Sequence, residues 1–108
     1  MAECDKIEQV EGVTKGIRRI VLDVLKPHTP NLVELAGIIS RIEGVCGVNI
    51  SLVEVDADTE SVKVTIMGSN LNYSIIKAIL EKYGAAVHSI DQVVAGRMVV
   101  EEPSTHQL

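Results

Sequence analysis

Residues 16–28 read GIRRIVLDVLKPH, and this stretch decides the fold. Side chains of a β-strand alternate between two faces, so the stretch divides into two rows. Ile20, Leu22 and Val24 share one row. The other row is mixed and contains Arg19, Val21, Asp23 and Leu25. We therefore predict a first β-strand, which Pro27 and Pro30 end.

A first helix is predicted after this strand from apolar residues spaced three and four apart. Thr29 is suited to cap it and Pro30 to occupy its first position, because a hydroxyl satisfies free N–H groups and proline needs no hydrogen bond there. Gly44 is expected to end it. The apolar stripe consists of Leu32, Leu35, Ala36, Ile39 and Ile42.

A second helix shows the same spacing later in the chain, where Asn70 or Asn72 is suited to cap it. Gly84 is expected to close it. Its stripe consists of Ile76, Ile79, Leu80 and Tyr83.

Three further strands complete the predicted order. VNISLVEV (48–55) and SVKVTIMG (61–68) flank the turn-forming residues DADTE and predict a hairpin, and AVHSIDQVVAG (86–96) predicts a last strand. The order βαββαβ is that of the ferredoxin-like plait, an α+β fold. Right-handed crossovers give a four-stranded antiparallel sheet in the order 4-1-3-2, with both helices on one face.

The length of 108 residues fits one domain with one core. We predict a polar, flexible leader at 1–15, the domain at 16–102 and a polar tail at 103–108. The core is expected to contain Ile20, Leu22, Val24, Leu35, Ile39, Val48, Ile50, Val64, Ile66, Ile76, Ile79 and Leu80.

Composition excludes several functions. A net charge of −5 opposes binding to nucleic-acid phosphates, and two tyrosines are the only aromatic residues available for stacking on bases. The sequence has no apolar run that could span a membrane and no secretory signal, which predicts a cytoplasmic protein.

Cys4 and Cys46 form neither a CxxC pair nor a multi-cysteine zinc site. We therefore expect no disulfide and a reducing compartment.

The strings GIRRIVLDVLKPH, EGVCGVNI, VKVTI and HSIDQVVAG resemble the archaeal family catalogued as domain of unknown function 211. The resemblance covers about residues 16–102. It implies a ferredoxin-like fold that assembles into a closed ring of identical subunits, without an established activity. No catalytic residues are carried over, because the family supplies none.

The acidic turn places Asp56, Asp58 and Glu60 at alternate positions, and oxygen ligands grouped in a loop suit hard cations. The sequence favours a charged hairpin tip that maintains solubility, and the alternative is a metal site for calcium rather than zinc. Lys26, His28 and His88 are expected at the same end of the plait, where a small ligand can bind. The two histidines would suit zinc only if they lie within about 4 Å of each other.

Asp23 lies in the mixed row of the first strand beside apolar neighbours. We expect it to form a structural salt bridge with Arg19 or with a neighbouring subunit rather than to act in catalysis.

The predicted oligomer face is the side of the sheet that neither helix covers. Its apolar members are Val21, Leu25, Val53, Val55 and Met67.

The sequence contains no phosphate-binding glycine loop and no identifiable nucleophile–base pair, which argues against an enzyme. We expect a non-catalytic, self-assembling regulatory or interaction protein that binds other copies of itself. The alternative is a small-ligand or divalent-cation sensor of the ACT type, which HTPNLVELAGIISRIEGVCGVNI resembles although its Pro-Gly turn is missing.

Overall fold

A computed structural model describes Cys4 and residues 16–103 of the chain. The predictions of a flexible leader and a polar tail therefore fall outside the described residues, apart from Cys4 and Pro103. Within the described ranges, no helix is long and apolar enough to cross a membrane.

The predicted order of elements is confirmed. The elements are β1 (Ile17–Pro27), α1 (Leu32–Ser40), β2 (Val45–Val55), β3 (Thr59–Gly68), α2 (Tyr73–Lys82) and β4 (Ala86–Ala95). The sheet order is β2-β3-β1-β4 with antiparallel neighbours throughout, which is the order 4-1-3-2 counted from the other edge. The fold is a ferredoxin-like plait, and the long strand β1 lies at its centre.

The core lies between the sheet and both helices, on the face that the apolar row of β1 presents. Ile20, Leu22 and Val24 lie opposite Ile66, Val64 and Val62 in the register. The buried cluster contains these six with Leu35, Ile39, Leu71, Ile76, Leu80 and Ala85. Because the two helices contribute to one cluster, they cover one face of the sheet.

Three of the predicted core residues lie outside the fully buried cluster. Val48 and Ile50 are only partly buried, because β2 is an edge strand, although both pack against the cluster. Ile79 lies outside the cluster, because Ile76 and Leu80, four residues apart, are the α2 side chains that are fully buried.

The predicted cap of α1 at Thr29 is wrong, because Asn31 caps the helix. The Asn31 side-chain oxygen accepts the Glu34 N–H at 2.8 Å, and the Glu34 carboxylate accepts the Asn31 N–H at 2.9 Å. This reciprocal capping box satisfies two N–H groups that the helix leaves free, so α1 begins at Leu32. At α2 the cap is Asn72, one of the two predicted candidates.

Cys4 and Cys46 form a disulfide, which overturns the expectation of two unpaired cysteines. The two Cα atoms lie 5.4 Å apart although the residues are 42 positions apart in sequence. A pair at this separation carries no spacing signature, so the sequence did not indicate it. The bond ties residue 4 to the start of β2. Disulfides occur in oxidising compartments and also inside hyperthermophilic archaea, so the cysteines no longer indicate a reducing compartment.

We predict that Ile39→Ala lowers the free energy of unfolding by about 2–5 kcal/mol, because Ile39 is fully buried and its truncation leaves a cavity. Denaturant melts measure this loss. Val33→Ala is the matched control, because Val33 is 81% exposed on the same helix and its truncation should cost less than about 0.5 kcal/mol. A loss as small in Ile39→Ala as in the control would contradict the described core.

Candidate functional site

Lys26 is the buried cation at the end of β1. The alternation that buries Val24 also turns Lys26 towards the core, and its side chain is 1% exposed. Its ammonium donates to a Glu60 carboxylate oxygen at 3.0 Å and to the Pro27 carbonyl at 2.6 Å. Glu60 lies directly opposite Lys26 on β3. The carboxylate therefore neutralises a charge that would be costly to bury alone.

His28 binds the other oxygen of the same carboxylate. Its Nδ1 lies 2.9 Å from Glu60 Oε2, and its Nε2 lies 2.9 Å from the Ala57 carbonyl. When both ring nitrogens carry protons, both donate. The end of β1, the loop after it and the β2–β3 turn thus converge on Glu60. We call Lys26, His28 and Glu60 the Glu60 cluster.

The contacts in the Glu60 cluster shift the pKa values of His28 and Glu60. The hydrogen bond to Glu60 raises the pKa of His28, and the Ala57 carbonyl acts in the same direction. The hydrogen bonds from His28 and then from Lys26 lower the pKa of Glu60. Each shift favours the charged form, so these contacts stabilise Glu60 as a carboxylate and His28 as an imidazolium.

The acidic turn does not assemble as a three-carboxylate cluster. Glu60 faces Lys26, and both of its oxygens are engaged, whereas Asp56 and Asp58 are exposed. In the part of the chain that the structure describes, no group of three or more His, Cys, Asp or Glu side chains could hold a metal ion. The cause is the register of the hairpin, which places Glu60 opposite a buried lysine. Calcium binding by the remaining carboxylates stays a prediction.

His88 belongs to a different surface. It is exposed and lines a shallow cleft of about 230 Å³ together with Asp23, Leu25 and Ser61. Asp23 and Leu25 lie in the mixed row of β1, opposite to the row of Lys26. The structure therefore brings Lys26, His28 and the acidic turn together and places His88 on the other side of the sheet.

Arg19 pairs with Glu101 rather than with Asp23, so one of the two partners predicted for Asp23 is wrong, while a salt bridge to a neighbouring subunit stays a prediction. Its two terminal nitrogens each lie 2.9 Å from a Glu101 oxygen, and one also donates to Gln92 at 3.0 Å. The bidentate bond lowers the pKa of Glu101. Residues after β4 thus return to the sheet face that has no helices, where Val94 and Glu101 line one cleft.

The predicted oligomer face is partly reorganised by a bulge. Val21, Leu25 and Met67 lie in the outer row, as the register of β1 with β3 shows. Val53 lies in the bulge between Leu52 and Glu54 and is 65% exposed. After the bulge Val55 lies opposite Glu60, so it falls in the row of the Glu60 cluster. One extra residue in β2 is sufficient to change the row of every later side chain.

Sequence reasoning missed Arg18 and the exposed apolar residues of β4. Arg18 is 2% exposed and precedes Ile20 in the core-facing row of β1. Extending the alternation by one position would have found it. Ile90 and Val93 are each about half exposed, and two register shifts in the middle of the β1–β4 pairing obscure their rows in the sequence.

The topology defines the class of the protein, the ferredoxin-like α+β proteins. Residues 18–108 match the family described as uncharacterized ArCR, domain of unknown function 211. A protein of Methanocaldococcus jannaschii described as uncharacterized is 50% identical over 92 residues, which are 85% of this chain and 95% of that protein. The chain therefore belongs to this family, which confirms the resemblance. Neither description names an activity.

The pH dependence of stability tests the Glu60 cluster. The raised pKa of His28 contributes stability that is complete below its ordinary value of 6.5 and is lost as the pH rises through the folded-state pKa. The lowered pKa of Glu60 contributes stability that is complete above 4.5 and is lost as the pH falls through the folded-state pKa. The cluster should therefore stabilise most between these two ordinary values.

We predict that His28→Gln destabilises the protein more at about pH 5.5 than at about pH 8.5, because His28 is charged at the lower pH. Urea midpoints at the two pH values measure the difference. His88→Gln is the matched control, since His88 lies on the other side of the sheet. Equal destabilisation by His28→Gln at both pH values would contradict the described contact.

Proposed function

We propose that the chain is a non-catalytic, self-assembling regulatory or interaction protein whose first partner is a second copy of itself. The observation that supports this proposal most is the pair of sheet edges that no described strand covers. Strands β2 and β4 end the sheet and have 11 and 10 residues. Neither contains a proline or is shortened, which are two means by which proteins block pairing between sheet edges.

Apolar side chains are exposed on both edge strands. On β2, Leu52 and Val53 are 49% and 65% exposed, and on β4, Ile90 and Val93 are 50% and 51% exposed. Isolated exposed apolar residues are ordinary, but pairs on both free edges are a feature of association surfaces. Joining the edges would remove these residues from water and satisfy the free backbone groups.

The strand directions suit a repeated head-to-tail contact. Neighbours in the sheet alternate in direction, so β2 and β4 run in opposite directions at the two ends of the order. A translated second copy would therefore place its β4 antiparallel to the β2 of the first, which continues the alternation. A contact of this kind repeats from copy to copy and closes into a ring when the rotation between copies permits.

The non-catalytic part of the proposal is supported by the sequence. The chain has neither a Gly-rich phosphate-binding motif nor a recognisable nucleophile–base pair. We also keep the cytoplasm as the proposed location.

The ACT-type sensor remains the alternative proposal, and the Glu60 cluster gives it less support than the edges give self-assembly. A cation at the acidic turn would have to compete with Lys26 and His28 for Glu60, because each of these residues already binds one carboxylate oxygen. An effect of calcium on the assembly would favour this alternative.

Self-assembly predicts that the native chain elutes with a mass several times its own 11.7 kDa. Size exclusion with light scattering measures this mass. Val53→Lys on β2 and Val93→Lys on β4 should each reduce it, because each places a charge at a joining edge. The matched control is Val33→Lys on α1, where the residue is 81% exposed and lies on a helix rather than on an edge strand.

A wild-type chain that elutes at 11.7 kDa would reject the proposal. Equal loss of mass in Val33→Lys would also reject it, since the lysines would then act without regard to position. Circular dichroism of each variant separates loss of assembly from loss of folding.

A further inference from the structure

The Cys4–Cys46 disulfide lies at the surface, on an edge strand of the sheet. Cys46 is the second residue of β2 and is exposed, and Cys4 is partly buried. The register of β2 with β3 shifts between Val45 and Gly47, so Cys46 lies in a bulge at the beginning of β2. Exposed disulfides are the ones that exchange readily with thiols and serve regulation, whereas structural disulfides resist reduction. The position of this bond therefore favours a regulatory role.

The folded core does not depend on the disulfide. Every side chain of the buried cluster, and every residue packed against it, lies between Ile17 and Val87, and neither cysteine is among them. The family match begins at residue 18, so Cys4 lies outside the residues that match the family. The bond is thus an addition to the plait, and the plait should stay folded when the bond is reduced.

The disulfide places Cys4 close to the backbone of β2. The Cα atoms of Cys4 and Cys46 are 5.4 Å apart, which is within the range for residues that lie opposite each other on paired strands. On its other side, the beginning of β2 already pairs with the end of β3, where Val45 lies opposite Gly68. The β4 strand of a second copy that pairs along the whole of β2 has to approach Cys46 as closely as Cys4 does. The bond therefore shortens the part of β2 that a second copy can use.

We propose that the Cys4–Cys46 disulfide is a redox switch that limits self-assembly at the beginning of β2, and that its reduction strengthens the assembly. This inference rests on the proposed function, because it concerns the β2 edge at which we place self-assembly. In a reducing compartment such as the proposed cytoplasm, disulfides are usually transient and redox-sensing.

The reductant is a small thiol. Two thiol molecules supply two electrons and two protons, so that the S–S bond breaks to give the Cys4 and Cys46 thiols. The two reductant molecules are oxidised and join in a disulfide of their own. Oxidation by a small disulfide runs the same exchange in reverse and restores the bond.

Dilution series of the full chain, followed by light scattering with and without dithiothreitol, test the proposal. In wild type we expect the dithiol to lower the concentration of half-assembly roughly tenfold, because one or two recovered backbone hydrogen bonds correspond to about that factor. Cys4→Ser cannot form the bond, so it should assemble like reduced wild type and not respond to the dithiol. The double variant Cys4→Ser, Cys46→Ser is the matched control, because it has no thiol that could link two copies.

Two further measurements separate the switch from a loss of folding. Thiol titration should find two thiols in each reduced chain. Circular dichroism at room temperature should not change on reduction. The melting temperature should fall by roughly 10 °C, because the bond constrains the unfolded chain between two distant positions.

Assembly that is equal or weaker after reduction overturns the switch and leaves self-assembly intact. The switch is also overturned if the dithiol does not reduce the bond, or if the reduced chain unfolds at room temperature. A chain that stays at 11.7 kDa in both redox states overturns self-assembly and the switch together.

Discussion

The position of β1 between β3 and β4 is the constraint on which the rest of the structure depends. Because β1 is central, the side chains of its core-facing row must lie under the helices, whatever their chemistry. The middle of that row is apolar, and its two ends are the cations Arg18 and Lys26. Glu60 therefore lies opposite Lys26 as a counter-ion, and its second oxygen holds His28. Among the described residues, Arg18 donates only to the Arg97 carbonyl, so the two ends of the row differ in their partners.

Among the described residues, the two edges of the sheet pair with no further strand. Strands β2 and β4 form these edges, and each carries partly exposed apolar residues. The outer face is more polar than the sequence suggested, because Arg19 and Glu101 form a bidentate salt bridge across it. These features make the edges, more than the face, the surface on which we base the proposed assembly.

The fold was predictable because its signals are local and periodic. The alternation in β1 and the spacing of Leu35 and Ile39 in α1 lead directly to the observed core.

The site was less predictable, since it depends on register and on contacts between distant residues. A bulge moved Val55 into another row, the hairpin register turned Glu60 towards Lys26, and the Cys4–Cys46 bond joined positions without a spacing motif. The Asn31 cap was readable in principle, because Glu34 follows it by three residues.

Hydrogen exchange of the edge strands tests the central claim, that β2 and β4 of neighbouring copies pair, most directly. The native full chain is measured at high and at low protein concentration, with the central strands β1 and β3 as the internal reference. The account predicts that the outward amides of both edge strands are protected at high concentration and exchange faster on dilution, while β1 and β3 stay unchanged. Rapid exchange along both edges at every concentration would contradict it.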